Sequence, residues 1–142
     1  MDRTTVPNIG FLLAKASQRF NELLVERFAR RGFADVRPSY GSVLVPLFDG
    51  EPLRLGDIGA HARLSKQAMT GLVKLCEDAG LVARERDADD GRAFRISLTA
   101  RGRELKGVAE EALAELDHEL ERALGRRDRD ALVRALKGVM DL

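Results

Sequence analysis

Residues 53–98 constrain the fold more than any other stretch of this 142-residue chain. Apolar residues first recur at helical spacing and then alternate, which predicts two helices followed by two strands, at 55–64, 65–79, 81–86 and 93–98. The two helices are joined without a loop, and a polar turn at 87–92 joins the strands. The stretch therefore predicts a tight pair of helices with a β-hairpin attached.

The second helix of this stretch has an apolar side and a polar side. Ser65 is a good N-cap because its hydroxyl accepts from free first-turn amides, and Gly80 suits the left-handed position beyond the helix. The apolar side is expected to be core and holds Ala68, Met69, Leu72, Val73 and Cys76. The polar side holds Lys66, Gln67, Thr70 and Lys74. Such side chains bind base edges and phosphates, but an ordinary solvated helix has the same pattern.

The hairpin favours the nucleic-acid interpretation of that helix. Gly91 is expected to take the positive φ of a tight turn, and Arg92 lies at its tip. An arginine there can enter the minor groove of DNA, and Asp90 is expected to orient it by a charge-assisted hydrogen bond. A merely solvated turn is the alternative, since the turn holds three acids. Helix, turn, helix and hairpin predict a mainly α winged helix-turn-helix with a small β-hairpin wing.

Three segments of the chain resemble the MarR (multiple-antibiotic-resistance regulator) family. They are the run 65–82, the sequence Arg-Asp-Ala-Asp-Asp-Gly-Arg at 86–92 and the sequence Leu-Thr-Ala-Arg-Gly at 98–102. The resemblance covers essentially the whole chain in length and element order. It implies a dimeric winged-helix transcription factor, often one that leaves DNA when a small molecule or an oxidant is sensed.

Three residues depart from the family pattern. Arg63 stands where such turns often carry Gly, so either a left-handed conformation there is strained or the turn differs. Gly71 stands where many relatives have Arg or another polar contact, and it lowers helix propensity by about 1 kcal/mol relative to Ala. Cys76 stands where a core Leu is usual, and a buried, inert thiol is favoured over a redox sensor.

The segments outside the winged module are also mostly helical. Residues 1–7 are expected to form a short loose arm, followed by a helix from Asn8 as cap to about Arg31. A second helix should open at Pro38 and kink or stop near Val45, because Pro46 lacks an amide. Arg54 is expected to form a very short strand against the wing.

Two more helices are predicted after the hairpin. Thr99 is placed to cap a long helix that runs to about Leu124. Residues 125–127 should interrupt it, and Asp128 is expected to cap the last helix. The chain then forms a single domain, 1–142, with a DNA-binding part at about 37–98 and dimerisation helices at about 8–32 and 99–142.

A homodimer is expected because the apolar stripes of the terminal helices exceed what the winged module can cover. A monomeric helical bundle is the alternative. In a dimer, the helix at 65–79 of each copy would contact one of two half-sites, and a two-fold axis would relate the two helices. The half-sites would lie one turn of double-stranded DNA apart, roughly 34 Å. The target is therefore expected to be a pseudo-palindrome.

Charge and composition limit the classes of function. Net charge is +1, and residues 54–106 hold 11 Lys and Arg against 8 Asp and Glu, a mild basic bias. There is no long apolar run or signal-peptide pattern, so a soluble cytoplasmic protein without membrane contact is expected. Neither a metal-ligand spacing nor a phosphate loop or nucleophile motif is found, so no cofactor and no enzymatic activity are expected.

The family resemblance also implies a ligand pocket between the dimerisation helices and the winged module. Residues that could line it are Phe11, Phe20, Tyr40 and His61, and a small aromatic effector would suit them. The sequence as a whole predicts a sequence-specific transcriptional regulator. A winged helix used only for contacts with other proteins is the alternative, kept open by the small net charge and by Gly71.

Overall fold

A computed structural model describes residues 8–142; the predicted arm at 1–7 lies outside the described residues. The chain is mainly α-helical with a small sheet, as predicted. Its elements are α1 Ile9–Arg30, α2 Gly41–Leu47, β1 Leu53–Arg54, α3 Leu55–Ala62, α4 Lys66–Asp78, β2 Val82–Arg86, β3 Phe94–Leu98, α5 Ala100–Leu124 and α6 Arg126–Met140. A short 3-10 turn, Pro38–Tyr40, leads into α2. Among the described helices, none is long and apolar enough to cross a membrane.

Three of the predicted helix caps are confirmed. The Asn8 side chain accepts a hydrogen bond from the amide of Phe11 at 3.2 Å. The Ser65 and Thr99 hydroxyls accept from the third amide of α4 and of α5, each at 3.1 Å. Each cap satisfies an amide that has no partner within its own helix, which fixes where these helices begin.

The predicted start of α6 is wrong in detail. Gly125, with φ 82° and ψ 154°, is the N-cap residue, whereas Asp128 lies inside the first turn. An acid at that position still interacts favourably with the positive end of the helix dipole. Arg126 and Arg127 belong to α6, so that the interruption between α5 and α6 is Gly125 alone.

Pro46 affects α2 slightly later than predicted. The helix runs through Pro46 and ends at Leu47, two residues beyond the expected stop near Val45. Proline removes one hydrogen bond to the preceding turn and crowds the carbonyl there, and the helix ends one residue after it; the chain then turns at Gly50, with φ 94°.

The sheet is antiparallel, with strand order β1-β3-β2. The predicted short strand at Arg54 is confirmed, since Leu53 pairs with Ile96 and Arg54 with Arg95. On the other side of β3, Val82 pairs with Leu98 and Arg86 with Phe94. The inner face of the sheet packs on the core through Val82 and Ile96, while Phe94 is exposed near the tip of the hairpin.

One core joins the winged module to the long helices. It is formed mainly by α2, α3, α4, the sheet and the first half of α5, with large fully buried side chains at Leu47, Ile58, Met69, Leu81, Ile96 and Leu105. The start of α5 comes very close to the chain before β2, because a side chain at Gly102 would overlap the Leu81 carbonyl. This contact explains the glycine of the Leu-Thr-Ala-Arg-Gly sequence.

Ion pairs fasten α1 to α5. Arg27, which is buried, donates from Nε to Glu115 at 3.2 Å and from Nη2 to Glu119 at 2.5 Å. Arg31, one turn later, pairs with Glu111 and Glu115. These contacts place the C-terminal half of α1 along the middle of α5.

The N-terminal half of α1 and the whole of α6 are less well covered. No residue of α6 is buried. Large apolar side chains are exposed on both segments, at Ile9, Phe11, Leu12, Leu132, Leu136, Val139 and Met140. The described chain therefore leaves apolar surface without a partner at both of its ends.

Candidate nucleic-acid interface

The turn between α3 and α4 contains a left-handed arginine. Arg63 has φ 54° and ψ 36°, and within residues 8–142 no other non-glycine residue has a positive φ. Of the two alternatives for this position, the strained conformation is therefore confirmed. A left-handed conformation costs a residue with a Cβ roughly 1–2 kcal/mol, and here it brings α4 into place directly after α3.

The inner face of α4 attaches this helix to the core. Met69, Val73 and Cys76 are buried, as predicted, and Leu72 is half-buried. The prediction is wrong for Ala68, which is exposed. Ala68 lies at the edge of the apolar stripe, and no neighbouring element covers that edge near the start of the helix.

The outer face of α4 is exposed and polar. The residues on this face are Lys66, Gln67, Thr70, Gly71 and Lys74. A Cβ at Gly71 would meet nothing within 4 Å, so the centre of this face has open space in front of it. Because the inner face is fixed by the core, this polar face is the one open to solvent.

Two side chains on the outer face are partly engaged. The Thr70 hydroxyl donates to the Lys66 carbonyl at 2.8 Å, so its proton is used within the helix. Lys74 Nζ lies 3.5 Å from Asp78 Oδ1 in an exposed pair one turn apart. Such surface pairs are weak, so Lys74 remains able to bind another anion.

Asp87 at the base of the wing was missed by the sequence analysis. It is only 3% exposed, and its Oδ2 lies 2.6 Å from Arg54 Nη2 on β1 and 3.2 Å from Arg95 Nε on β3. Its Oδ1 accepts from the Asp89 amide at 3.0 Å. That amide and the two arginines lower the pKa of Asp87 to about 2, although burial opposes them.

A signal for this site was present in the sequence, although it needed the sheet register. Arg54 and Arg95 are opposite each other on β1 and β3. Two arginines at opposite positions repel unless an acid lies between them. One of the three acids of the wing turn is therefore structural, which accounts for part of the acidic character of the wing.

The rest of the wing turn differs from prediction in two ways. Asp90 Oδ1 accepts from the backbone amide of Arg92 at 3.0 Å, and it makes no ion pair with the Arg92 guanidinium. Gly91 does not take a positive φ. Asp90 therefore shapes the turn through its backbone, and within residues 8–142 no carboxylate lies within ion-pair distance of Arg92.

The four residues predicted to line an effector pocket are not brought together. Phe11 is 60% exposed near the start of α1, and Phe20 is half-buried about two and a half turns later. Tyr40 is buried in the core, and His61 lines an open groove between α2, β1 and α3. The shape of the monomer thus gives these four side chains no common site.

An apolar cavity of about 190 Å³ lies elsewhere, between α1, α2 and α5. Its walls include Leu24, Phe28, Leu44, Phe48, Leu105 and Ala109. Arg37 also borders it, at the start of the turn that leads into α2. The cavity lies between the long helices and the winged module, where a pocket was expected, but other residues form it.

Cys76 has the environment expected of an inert thiol. Its side chain is fully buried on the inner face of α4, and this burial raises the pKa of the thiol to about 12. The reactive thiolate is therefore scarce at neutral pH. The prediction of a buried cysteine is confirmed.

These features define a winged helix-turn-helix protein: a strained tight turn, a helix with a polar outer face, and a hairpin with an exposed arginine at its tip. The sequence profile of the MarR family matches residues 43–93, which include all of α3 and α4 and most of the wing. This part of the chain is therefore similar to the MarR family.

Relatives and solved structures agree with this assignment. The chain is 31% identical over 86 residues to the HTH-type transcriptional regulator SarZ of Staphylococcus saprophyticus, over 58% of this chain and 59% of SarZ. It is 38% identical over 65 residues to the HTH-type transcriptional repressor Rv2887 of Mycobacterium tuberculosis, over 46% and 47% of the two chains. The matches thus span about half the length of these relatives.

A likeness over nearly the whole chain comes from a solved structure. The transcriptional repressor CouR, in a structure bound to a 23-mer DNA duplex, superposes with a TM-score of 0.80 at 25% identity. The superposition covers 94% of this chain and 92% of CouR. The likeness therefore includes the terminal helices as well as the winged module.

Proposed function

We propose that this protein is a transcriptional regulator that binds double-stranded DNA sequence-specifically as a homodimer, and that it catalyses no reaction. The observation that carries the proposal is the outer face of α4. It is polar and exposed, and the buried side chains of Met69, Val73 and Cys76 on the opposite face hold it outward. The names of SarZ and the duplex bound by CouR support the same role. A regulator of chromosomal genes acts in the cytoplasm of a bacterium, and that location forms part of the proposal.

Each residue of the proposed interface has a chemical role. Lys66 and Lys74 are cations suited to phosphates, whereas the amide of Gln67 and the side chain of Thr70 face the base edges. Ser65 caps the helix and holds its N-terminal amides toward a phosphate. Arg92, which has no carboxylate partner in the described chain, enters the minor groove while Asp90 shapes the turn behind it.

The homodimer rests on the uncovered apolar surface at the two ends of the chain. Exposed leucines and other large apolar residues on α6 and the start of α1 are typical of an interface between protein subunits. A two-fold axis through these helices places two copies of α4 on one side of the dimer. The DNA target is then a pseudo-palindrome with half-sites roughly 34 Å apart.

Removal of the wing arginine tests the DNA-binding proposal. Selection from a random duplex pool by the whole chain supplies a binding sequence, and affinity for it is then measured against salt. Arg92→Ala should weaken binding and reduce the slope of log affinity against log salt by about 1, because one phosphate-proximal cation is lost. Arg127→Ala on α6 is the matched control, since it removes an equally exposed arginine far along the chain from the wing.

Two results would contradict the proposal. A whole chain that enriches no sequence and shows no salt-dependent binding is not a DNA-binding regulator, and a winged helix for protein contacts then becomes the better interpretation. Equal effects of Arg92→Ala and Arg127→Ala would assign the contact to general charge rather than to the wing.

The dimer is tested by sedimentation of the whole chain with and without Leu136→Glu. A charge in place of this half-exposed apolar residue of α6 should shift the mass toward the monomer and weaken DNA binding together. Arg134→Glu, which changes a polar position of the same helix, serves as the control. A wild-type chain that sediments as a monomer and still binds the selected DNA would contradict the dimer.

A small aromatic effector is proposed for the cavity between α1, α2 and α5. Its walls are almost wholly apolar, and apolar cavities of about 150 Å³ bind benzene. Arg37 at its border suits a carboxylate on the ring. Calorimetry with a panel of aromatic acids should show binding that Arg37→Gln weakens. No binding from the panel would contradict an aromatic acid effector.

A further inference from the structure

From the composition of the α4 outer face, we infer that the centre of each DNA half-site consists of A·T pairs rather than G·C pairs. This inference rests on the proposed DNA binding and adds the bases that are recognised. Four residues at one-turn spacing form the outer line of α4: Gln67, Gly71, Lys74 and Asp78. Ala68 and Thr70 lie beside this line.

The outer line of α4 lacks an arginine, the side chain that most often recognises guanine. Guanine is recognised in the major groove mainly by arginine or lysine, which donate to its O6 and N7. Helix α4 contains no arginine, and its middle position on the outer line is Gly71, with open space before it. Lys74, the cation on the line, lies beside Asp78. Lys66, at the first position of the helix, is turned by about a quarter of the helix circumference away from this line, where it suits a phosphate. The outer line itself therefore holds no unpaired cation for guanine near the start of the helix within the described chain.

The polar group that does occupy this line is an amide. Gln67 is exposed at the second position of α4 and has no side-chain hydrogen bond within residues 8–142. A glutamine amide donates to adenine N7 and accepts from adenine N6, a pair of bonds that guanine cannot reproduce. Gln67 therefore favours adenine.

The neighbours of Gln67 present methyl groups. Ala68 is exposed, contrary to its place in the apolar stripe of the sequence. The Thr70 hydroxyl proton is taken by the Lys66 carbonyl, so that this side chain offers its methyl group and an acceptor oxygen. The C5-methyl of thymine is the one apolar group in the major groove, and alanine and threonine methyls contact it. Ala68 and Thr70 thus favour thymine, the base that pairs with adenine.

The wing indicates the same base class independently. Arg92 has no carboxylate partner in the described part of the chain, so its guanidinium is available to the minor groove. Arginines insert preferentially where the groove is narrow, and A·T tracts have the narrowest groove and the most negative potential. The helix and the wing therefore both select A·T pairs, through opposite grooves.

The experiment starts with the pool selected by the whole chain, whose half-sites should show A·T pairs at their centre. In an optimised duplex, replacing an adenine at the Gln67 contact by guanine should lower affinity by about 5- to 150-fold, the range for one bidentate contact. Replacing the contacted thymine by uracil removes only the methyl, and should lower affinity about 4-fold. Ala68→Gly should reduce that thymine preference.

A variant that gains specificity for guanine gives the sharpest test. Gly71→Arg places a guanidinium on the outer line without a steric conflict, and should enrich guanine at one position of each half-site. Gly107→Arg is the matched control: it adds the same charge at another open helical glycine, on α5. Circular dichroism of each variant verifies the helix content.

The outcomes separate the inference from the proposed function. Selected half-sites with G·C centres, or thymine and uracil duplexes bound equally by the wild type, would overturn the A·T inference and leave DNA binding intact. A pool without any enrichment would overturn the proposed function and the inference together. A·T centres, with a guanine gained only by Gly71→Arg, establish the inference.

Discussion

Asp87 and Arg54 connect the turn of the wing to the strand that precedes α3, with Oδ2 and Nη2 only 2.6 Å apart. Arg95 completes the cluster from the central strand. The buried carboxylate thus links both edges of the small sheet, and its Oδ1 fixes the wing turn through the Asp89 amide. The direction of the wing, and with it the position of Arg92, depends on this one side chain.

Asp87→Asn should lower the thermal stability of the protein at neutral pH and loosen the wing. The amide keeps the size of the side chain but leaves Arg54 and Arg95 without a counter-charge. Because the pKa of Asp87 is lowered in the folded state to about 2, its contribution is fully present above the ordinary carboxyl pKa and is lost as pH falls through the folded value. The difference in melting temperature from wild type should therefore be constant above about pH 4 and shrink between about pH 4 and pH 2.

Asp89→Asn is the control for that series, because the Asp89 side chain is exposed and has no ion pair among the described residues. It should change the melting temperature little at any pH. If the two variants had the same pH profile, the stabilising role assigned to Asp87 would be wrong.

Gly102→Ala should destabilise the protein strongly. The added Cβ would overlap the Leu81 carbonyl oxygen and press on Leu98, and both are fixed by the sheet. Overpacking of this kind costs about 1–3 kcal/mol in the free energy of unfolding, and more where backbone must move. Denaturant unfolding measures the loss. Gly107→Ala, in the same helix with open space around it, should instead be neutral or stabilising.

Gly71→Ala should stabilise the protein. Nothing lies within 4 Å of the new methyl group, and alanine is favoured over glycine within a helix by about 1 kcal/mol. The melting temperature should rise by about 2–4 °C in a chain of this size. Gly80→Ala is the opposing control, because φ there is +71° and a Cβ is strained in that conformation. A loss of stability in Gly71→Ala would mean that α4 has a partner on its outer face.

The elements predicted correctly are those whose signals are local. Asn8, Ser65 and Thr99 cap amides only three residues away, so a single sequence contains the whole of each interaction. Asp128 failed as a cap because Gly125 takes a positive φ and starts the helix earlier. The backbone conformation of Gly125 depends on how α6 packs against α5, and no local sequence pattern describes that packing.

The candidate site was predictable in part for the same reason. Helical spacing alone placed Gln67, Thr70 and Lys74 on the outer face, since the period of a helix does not depend on its neighbours. The edge of the apolar stripe does depend on them, and Ala68 was therefore misplaced. Asp87 needed the register of three strands, and its partner Arg54 is 33 positions away. The role of Asp87 could therefore be recognised only once the strand register was known.

Cys76 should be unreactive toward thiol reagents in the folded protein. Burial removes access and raises the pKa of the thiol to about 12, so that thiolate is scarce at pH 8. Labelling with a chromogenic disulfide should therefore be slow in buffer and fast in denaturant, where the pKa returns to its ordinary value near 9.

Since the folded-state pKa is raised, the neutral thiol's contribution to stability is fully present below about pH 9 and is lost as pH rises toward 12. Cys76→Ala creates a small cavity but should remove this alkaline dependence. Rapid labelling of the native wild type, together with loss of DNA binding on oxidation, would instead make Cys76 a redox sensor.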